Sequence, residues 1–341
     1  MSQFDSLRSI FSGTLLESGD ASYDEVRKVH NGLIDKRPAL IAQCRSAADV
    51  AAAIKIARTS GLPVSVRGGG HNVAGRAVVD DGVMIDLSQM RDVKVDATAR
   101  VAVVEGGATW AEVNRATQEH GLATTGGVIS STGVAGLTLG GGLGWFMGLH
   151  GMAVDNLIAA ELVTADGRVL NVSDEEHPDL FWAIRGGGGN FGVATKLTFR
   201  LHPVGQVVGG LAAHPLSTAA EMLRFYRSTT QSASDELSVF AGLVHAPDGS
   251  GAKLGAMVVF HPDVENGMNA VAPIKAFGPP VMDAVGPMSY EQANTILDGG
   301  FPKGALNYWK SSFLSELSDA AIETMVRQFE ECPAPMGAIL L

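Results

Sequence analysis

A chain of 341 residues, 46% hydrophobic and 18% charged, has room for two domains and a large core, which excludes a disordered or fibrous protein. Its formal net charge of -11 argues against nucleic acid and anionic membrane surfaces as partners. Cys44 and Cys332 lie far apart and outside any C-x-x-C pair, which excludes a disulfide framework and the usual zinc sites. The stretch Met1 to Ser18 lacks the charged and continuously apolar regions of a signal peptide, and no apolar run reaches membrane-spanning length, so the expectation is a soluble, cytoplasmic protein.

In chain order, Ser46 reads as the N-cap of a helix whose Val50, Ile54 and Ala57 share a face, with Gly61 as its stop. Pro63 to Val66 is a short strand-type run, and it leads directly into Arg67-Gly68-Gly69-Gly70-His71-Asn72-Val73-Ala74-Gly75. Three successive glycines let the backbone approach a ligand closely, and consecutive N–H groups in such a turn form a concave anion site suited to a pyrophosphate. No Lys-Ser/Thr pair follows, so the loop is not a Walker-type phosphate loop. A glycine-rich surface turn with an incidental histidine is the plainer account of the same residues. Further on, Val83 to Ile85 reads as a strand ending at Asp86, and Val93 to Asp96 with Val101 to Val104 as a hairpin. Thr109 and Glu112 form a capping box for a helix running to His120 and stopped by Gly121.

A second glycine-rich stretch runs from Gly126-Gly127 through Gly133, Gly136 and Gly140 to Gly144. Leu162 to Thr164 and Arg168 to Leu170 flank an Asp166-Gly167 turn, a hairpin signal. A short helix opens at Pro178 and ends at Arg185, followed by the glycine run Gly186 to Gly189 and then an alternating strand from Val193 to Leu201. Gly187, Gly189 and Gly192 match G-x-G-x-x-G, but that fingerprint needs a strand before it and a helix after it, the reverse of the order here. Pro203 and Gly205 mark a boundary, so 1–205 and 206–341 are expected to be separate domains, the second an α+β one without glycine cradles.

The five segments Arg67 to Gly75, Gly106 to Trp110, Ser131 to Trp145, Asp155-Asn156 and Arg185 to Val193, taken together, resemble the FAD-linked oxidases of the berberine-bridge-enzyme-like family, within the vanillyl-alcohol-oxidase or p-cresol-methylhydroxylase (PCMH) superfamily. The resemblance is close over about 37–203 and looser beyond, through Asn307-Tyr308-Trp309-Lys310. It implies an α+β fold, with a PCMH-type FAD-binding domain of two subdomains and a substrate domain built on an antiparallel sheet. It implies FAD joined covalently through its 8α carbon to His71, with no second link, because Ile129 stands where some members carry a cysteine. Arg67, Gly68, Gly69, Gly70, His71, Asn72, Gly75, Gly127, Thr132, Gly133, Gly136, Gly140, Asn190, Gly192 and Val193 become the expected cofactor-binding residues. Trp145, Trp309 and Lys310 are the expected substrate-pocket residues; Trp145 reads equally well as core, and Asp155 and Asn156 equally well as turn caps.

The implied reaction is hydride removal from an alcohol, sugar or secondary metabolite, with O2 as acceptor and H2O2 as product. A dehydrogenase using another acceptor, and a flavin-binding protein without catalysis, are the alternatives. The other histidines show no ligand spacing, so no metal site is expected. The family's C-terminal region is longer than the one here, so the substrate domain is expected to be incomplete at its C-terminus and the catalytic base to lie outside the chain. Ala338 to Leu341 is expected to enter that domain's sheet and to be buried on both faces.

Overall fold

The computed structural model describes residues 4–246 and 248–341; residues 1–3, the start of the stretch considered for a targeting signal, lie outside it. The chain divides into two compact units, one comprising residues up to Pro203 together with Phe301–Trp309, the other Val204–Gly300 with Lys310–Leu341.

The first unit holds two main sheets. One contains β1 (Thr14–Leu16), β2 (Leu40–Gln43), β3 (Val64–Arg67) and β4 (Val83–Asp86) in the order β1-β2-β4-β3, with β4 parallel to both its neighbours. The helix Ala47–Thr59 is the crossover between β2 and β3. Its start is fixed by Ser46, whose hydroxyl accepts from the Asp49 N–H at 3.2 Å. The expected face, Val50, Ile54 and Ala57, is buried against Leu40, Val83 and Ile85. β4 is buried at all four positions, as a central parallel strand should be.

The other sheet is antiparallel: β5 (Val93–Asp96), β6 (Val101–Glu105), β8 (Leu157–Val163), β9 (Val169–Ser173) and β10 (Val193–Arg200), in the order β5-β6-β10-β8-β9. Both expected hairpins are present, β5 with β6 and β8 with β9. The helix Trp110–Gln118 begins at the capping box, where the Thr109 N–H donates to the Glu112 carboxylate at 2.7 Å. Its first residue, Trp110, is fully buried and meets Phe199 of β10 edge-on at 5.9 Å between centroids. That pair pins the helix to the sheet face. A two-residue ladder, β7 (Leu122–Ala123) with β11 (His202–Pro203), completes the unit.

The second unit is built on one antiparallel sheet. β12 (Val207–Pro215), β13 (Ser238–His245) and β14 (Lys253–His261) form its centre, with β15 (Met282–Asp283) and β16 (Gly286–Met288) on β12. The helices Ala219–Thr230, Val264–Lys275 and Asp319–Glu331 contribute Met222, Leu223, Val271, Ile274, Ile322 and Phe329 to its core. β17 (Ile339–Leu340) pairs with β13, so the last apolar run does enter the sheet. The expected burial on both faces does not hold: Leu340 is 55% exposed, because β17 is an edge strand and only one face of it meets the core.

Candidate functional site

β3 delivers the first glycine loop, and the loop's position is set by backbone contact. A Cβ on Gly69 would lie 2.3 Å from the Gly133 nitrogen, and one on Gly133 would lie 2.2 Å from the Gly69 nitrogen. Only glycine at both positions lets the two loops touch main chain to main chain. The second loop is held in turn by the helix Trp110–Gln118: Trp110 N–H donates to Thr132 C=O at 3.0 Å and Ala111 N–H to Ser130 C=O at 2.8 Å. Those donors belong to the first turn, which has no intrahelical acceptors.

His71 sits where the loops meet. Its Nε2 is 2.9 Å from Ser131 Oγ, and its Nδ1 is 3.5 Å from Thr132 Oγ1. On its face lies His30, with ring centroids 3.8 Å apart and planes 25° from parallel. Burial, and then the neighbouring His30, push the His71 imidazole down to about 4, so it is neutral at physiological pH.

The third glycine run reaches the same neighbourhood through the helix Val134–Leu139, which packs against both Pro178–Gly187 and the turn Gly188–Phe191. As the order of elements demands, the G-x-G-x-x-G match has a helix before it and β10 after it, which is not the arrangement of a dinucleotide fingerprint. Asn190 closes the turn by donating to Gly187 C=O at 2.8 Å.

Not every glycine here serves packing. Gly136, inside the helix Val134–Leu139, is exposed, and a Cβ on it would meet nothing within 4 Å. A Cβ would also meet nothing within 4 Å at Gly186, Gly188 and Gly189, though the first two take positive φ, which glycine favours. Glycine inside a helix costs about 0.5–1 kcal/mol relative to alanine, and nothing in the chain asks for it at 136. Gly140 follows at the C-cap of the same helix, exposed, its Cβ position in ordinary contact with backbone only.

Several expected site residues turn out to have structural duties. The Arg67 guanidinium is spent inside the protein: Nε donates to Asp86 at 2.9 Å, a second nitrogen completes the fork, and a third reaches the Val26 and Lys28 carbonyls. Asp86 is fully buried, so the pair anchors β3 to β4 rather than facing a ligand. Trp145 is 1% exposed and is a core residue, not a pocket wall. Gly127 makes room for Trp110 and Leu137, whose atoms a Cβ would approach to 3.1 and 2.7 Å. Val193, expected to contribute its backbone, has a buried side chain and pairs with Val163 in the β10–β8 ladder. Gly192 precedes it at the strand entrance, within 2.8 Å of Val163 C=O were it to carry a Cβ.

Asp155 accepts from the Met152 N–H at 2.8 Å and Asn156 donates to the His150 and Met152 carbonyls, so both hold turns. Asn156 also pairs with His202 Nε2 at 2.7 Å, and His202 stacks on His150 at 3.6 Å. Gly75, further along the first loop, takes φ +69° and donates to Asn72 C=O at 2.9 Å. Trp309, half-exposed, tilts against Phe301 at 5.7 Å, and Lys310 is exposed.

The segment Phe301–Trp309 is joined to the region just before the first loop. Gly304 N–H donates to His30 C=O at 2.8 Å, and His30 N–H donates to Gly70 C=O at 3.0 Å. Asn31, buried, donates to Val73 C=O at 2.8 Å and to Asn307 C=O at 2.9 Å, and accepts from Asn307 N–H at 2.9 Å. Neither His30 nor Asn31 carries a local sequence signal; only the Asn307 segment had one. Among the described residues no group of His, Cys, Asp and Glu could hold a metal ion, and no helix is long and apolar enough to cross a membrane.

Comparison with known proteins agrees with this geometry. Residues 38–173 match the model of an FAD binding domain. An FAD-linked oxidoreductase of Dictyostelium discoideum is 31% identical over 331 residues, covering 96% of this chain and 72% of that protein. The solved structure of 6-hydroxy-D-nicotine oxidase from Arthrobacter nicotinovorans superposes with a TM-score of 0.80 at 30% identity, over 86% of this chain and 66% of that one. A berberine-bridge-enzyme-like protein of Arabidopsis thaliana, number 28, gives a TM-score of 0.80 at 25% identity, over 96% of this chain and 72% of that one. The chain thus spans 66–72% of the length of these relatives.

Proposed function

The chain belongs to the berberine-bridge-enzyme-like family of FAD-linked oxidoreductases, and on that premise we propose that it is an oxidase that removes a hydride from an alcohol, sugar or secondary metabolite and passes the electrons to O2, giving H2O2. The observation that carries this reading is the meeting of two glycine loops at a neutral, half-buried imidazole, His71, with an open glycine, Gly136, on the helix that follows the second loop.

The residues present fit FAD. The backbone of Gly68, Gly69, Gly70 and Asn72 on one loop, and of Gly133 on the other, would form a cradle for a pyrophosphate; the N–H groups of Gly75 and Thr132 are already bonded within the chain. Gly136 and Gly140 leave the space a ring system needs, and the main chain from Asn190 through Gly192 borders the flavin or adenylate portion. His71 would carry the cofactor through a bond to its 8α carbon. When bound, FAD supplies a two-electron acceptor, and the covalent substituent makes it a stronger one. The chain's own share is to orient the cofactor, to hold His71 neutral and to keep water from the buried side. Trp309 offers an aromatic face to substrate, with Lys310 beside it in sequence. The named relatives suggest where to search, and hydroxylated amine heterocycles such as 6-hydroxy-D-nicotine join simple alcohols and oligosaccharides in the panel.

The test is to present this panel to the purified yellow protein without oxygen and follow the flavin absorbance, then to admit oxygen and measure uptake and peroxide. Bleaching followed by rapid peroxide formation is expected. Bleaching without oxygen uptake would replace the oxidase by a dehydrogenase. A flavin that no donor bleaches would remove catalysis from the reading and leave FAD binding.

A further inference from the structure

His30 has no part in the family resemblance, yet its ring lies on the ring of the one side chain proposed to carry the cofactor. We propose that His30 is a positioning residue that clamps the His71 imidazole face-on and keeps it unprotonated, so that a neutral ring is presented for bonding to the flavin's 8α carbon. The inference rests on the covalent reading for its purpose, though not for its geometry.

The clamp is built from both ends. His30 cannot drift, because its N–H is tied to Gly70 C=O in the first glycine loop and its C=O to the Gly304 N–H of the returning segment. Its neighbour Asn31 bonds the same two segments again, at Val73 on the loop and Asn307 on the return. Three stretches distant in sequence therefore fix one ring. On the opposite edge, Ser131 Oγ holds His71 Nε2 at 2.9 Å, which fixes the rotation of the ring in its own plane. An imidazole held by a stacked face and a bonded edge has lost most of its χ freedom before any cofactor arrives, the condition for a well-oriented bond-forming step.

The same stack governs charge. Two imidazolium rings at 3.8 Å would repel by about 4 kcal/mol at an effective dielectric of 20, so the pair accepts at most one proton near neutrality. The titratable and charged groups in reach are His30 for His71, and Lys303 for His30; Ser131 and Thr132 bring no charge. Burial is the larger cause of the fall at His71, and the covering ring of His30 supplies part of that burial. The step served forms one N–C bond at the 8α carbon and breaks one C–H bond there. The C–H electron pair would go to the flavin ring system and the proton to solvent, and O2, the acceptor proposed above, would take the pair with two protons as H2O2.

The expected size follows from the protonation fractions. With its midpoint at about 4, His71 is roughly nine-tenths neutral at pH 5; returned to the ordinary 6.5 it would be about 3% neutral. About thirtyfold is therefore the ceiling for His30→Ala at pH 5, reached only if all of the shift goes with the ring; a slowing of several-fold is expected, and much less at pH 7.5, where both forms are mainly neutral. His30→Phe keeps a flat ring in place and should retain most of the rate at pH 5. The assay adds FAD to full-length chain produced without flavin and counts protein-bound flavin after acid precipitation, from pH 5 to 8. In parallel, nitrogen NMR of the flavin-free full chain follows the titration of His71 directly.

A His71 midpoint that moves up in His30→Ala and stays low in His30→Phe supports the clamp. An unchanged midpoint in the alanine protein, or a phenylalanine protein that behaves like the alanine one, overturns it. Should the wild-type chain bind flavin without a covalent bond, the covalent reading fails by itself, and the NMR titration still decides for or against the clamp. If alanine prevents folding, the phenylalanine protein decides alone: a midpoint kept near that of the wild type supports the clamp, and one returned to the ordinary range overturns it.

Discussion

Gly136→Ala separates what the fold needs from what the cofactor needs. The position is inside the helix Val134–Leu139, exposed, and a Cβ there meets no atom of the chain within 4 Å. In the flavin-free protein the substitution should therefore stabilise, by about 0.5–1 kcal/mol from helix propensity alone. For a domain of 150–250 residues that is a rise in Tm of about 1–4 °C. With FAD present the sign should reverse, since the new methyl occupies space the ring system would fill. Flavin content at purification should fall, and any flavin retained should be reoxidised more slowly; Gly136→Val should exaggerate both. The assay is a pair of thermal melts, without and with FAD, beside the flavin-to-protein absorbance ratio. An alanine protein that is less stable without flavin, or that carries a full complement of flavin reoxidised at the wild-type rate, would refute the claim that this glycine is kept for a ligand.

Other outcomes follow from neighbouring contacts. Gly69→Ala should do the opposite of Gly136→Ala: its Cβ would fall 2.3 Å from backbone nitrogen, so the loops must part, and a loss of about 1–3 kcal/mol is expected in melts of the flavin-free chain. Arg67→Ala takes the charge partner from the fully buried Asp86, leaving it only the Gln43 and Ser88 donors, and should cost about 3–5 kcal/mol in denaturant unfolding; a change below about 1 kcal/mol would show that those donors alone hold the carboxylate. Burial first, then the nearby His150, Arg200 and Arg100, push His202 down to about 4. Because the folded form resists protonation there, its contribution is present above pH 6.5 and is lost as pH falls from 6.5 towards 4. Urea midpoints of His202→Gln should vary less with pH over that window than those of the wild type, and equal slopes would contradict the assignment.

Much of the fold could be read from local pattern. The Ser46 cap, the Thr109–Glu112 box and the Asp166-Gly167 turn each work through residues three or four apart, and all three are where they were expected. The order helix, glycine run, strand around Gly186 to Gly192 sufficed to set aside a dinucleotide fingerprint. The glycine loops were legible as places of close backbone approach, but not which glycine serves what. Gly69 and Gly133 are required by each other, Gly127 by Trp110, and Gly136 by nothing in the chain, distinctions that exist only once distant segments meet. Arg67 and Trp145 misled for the same reason: their partners, Asp86 and the buried core, are set by tertiary packing and not by neighbours in sequence. His30 was invisible because stacking on His71 joins residues with no periodic relation. The burial of Leu340 was overestimated because an apolar run does not reveal whether its strand lies at the centre or the edge of a sheet.

The most direct measurement is the fate of the flavin when the protein is denatured. The purified chain should precipitate yellow from acid, and peptide mass mapping should place one FAD-derived mass on the peptide containing His71 and on no peptide containing Cys44 or Cys332. A colourless precipitate with all flavin in the supernatant, or a flavin mass on any other residue, would contradict the account that His71 is the anchor around which the two glycine loops are built.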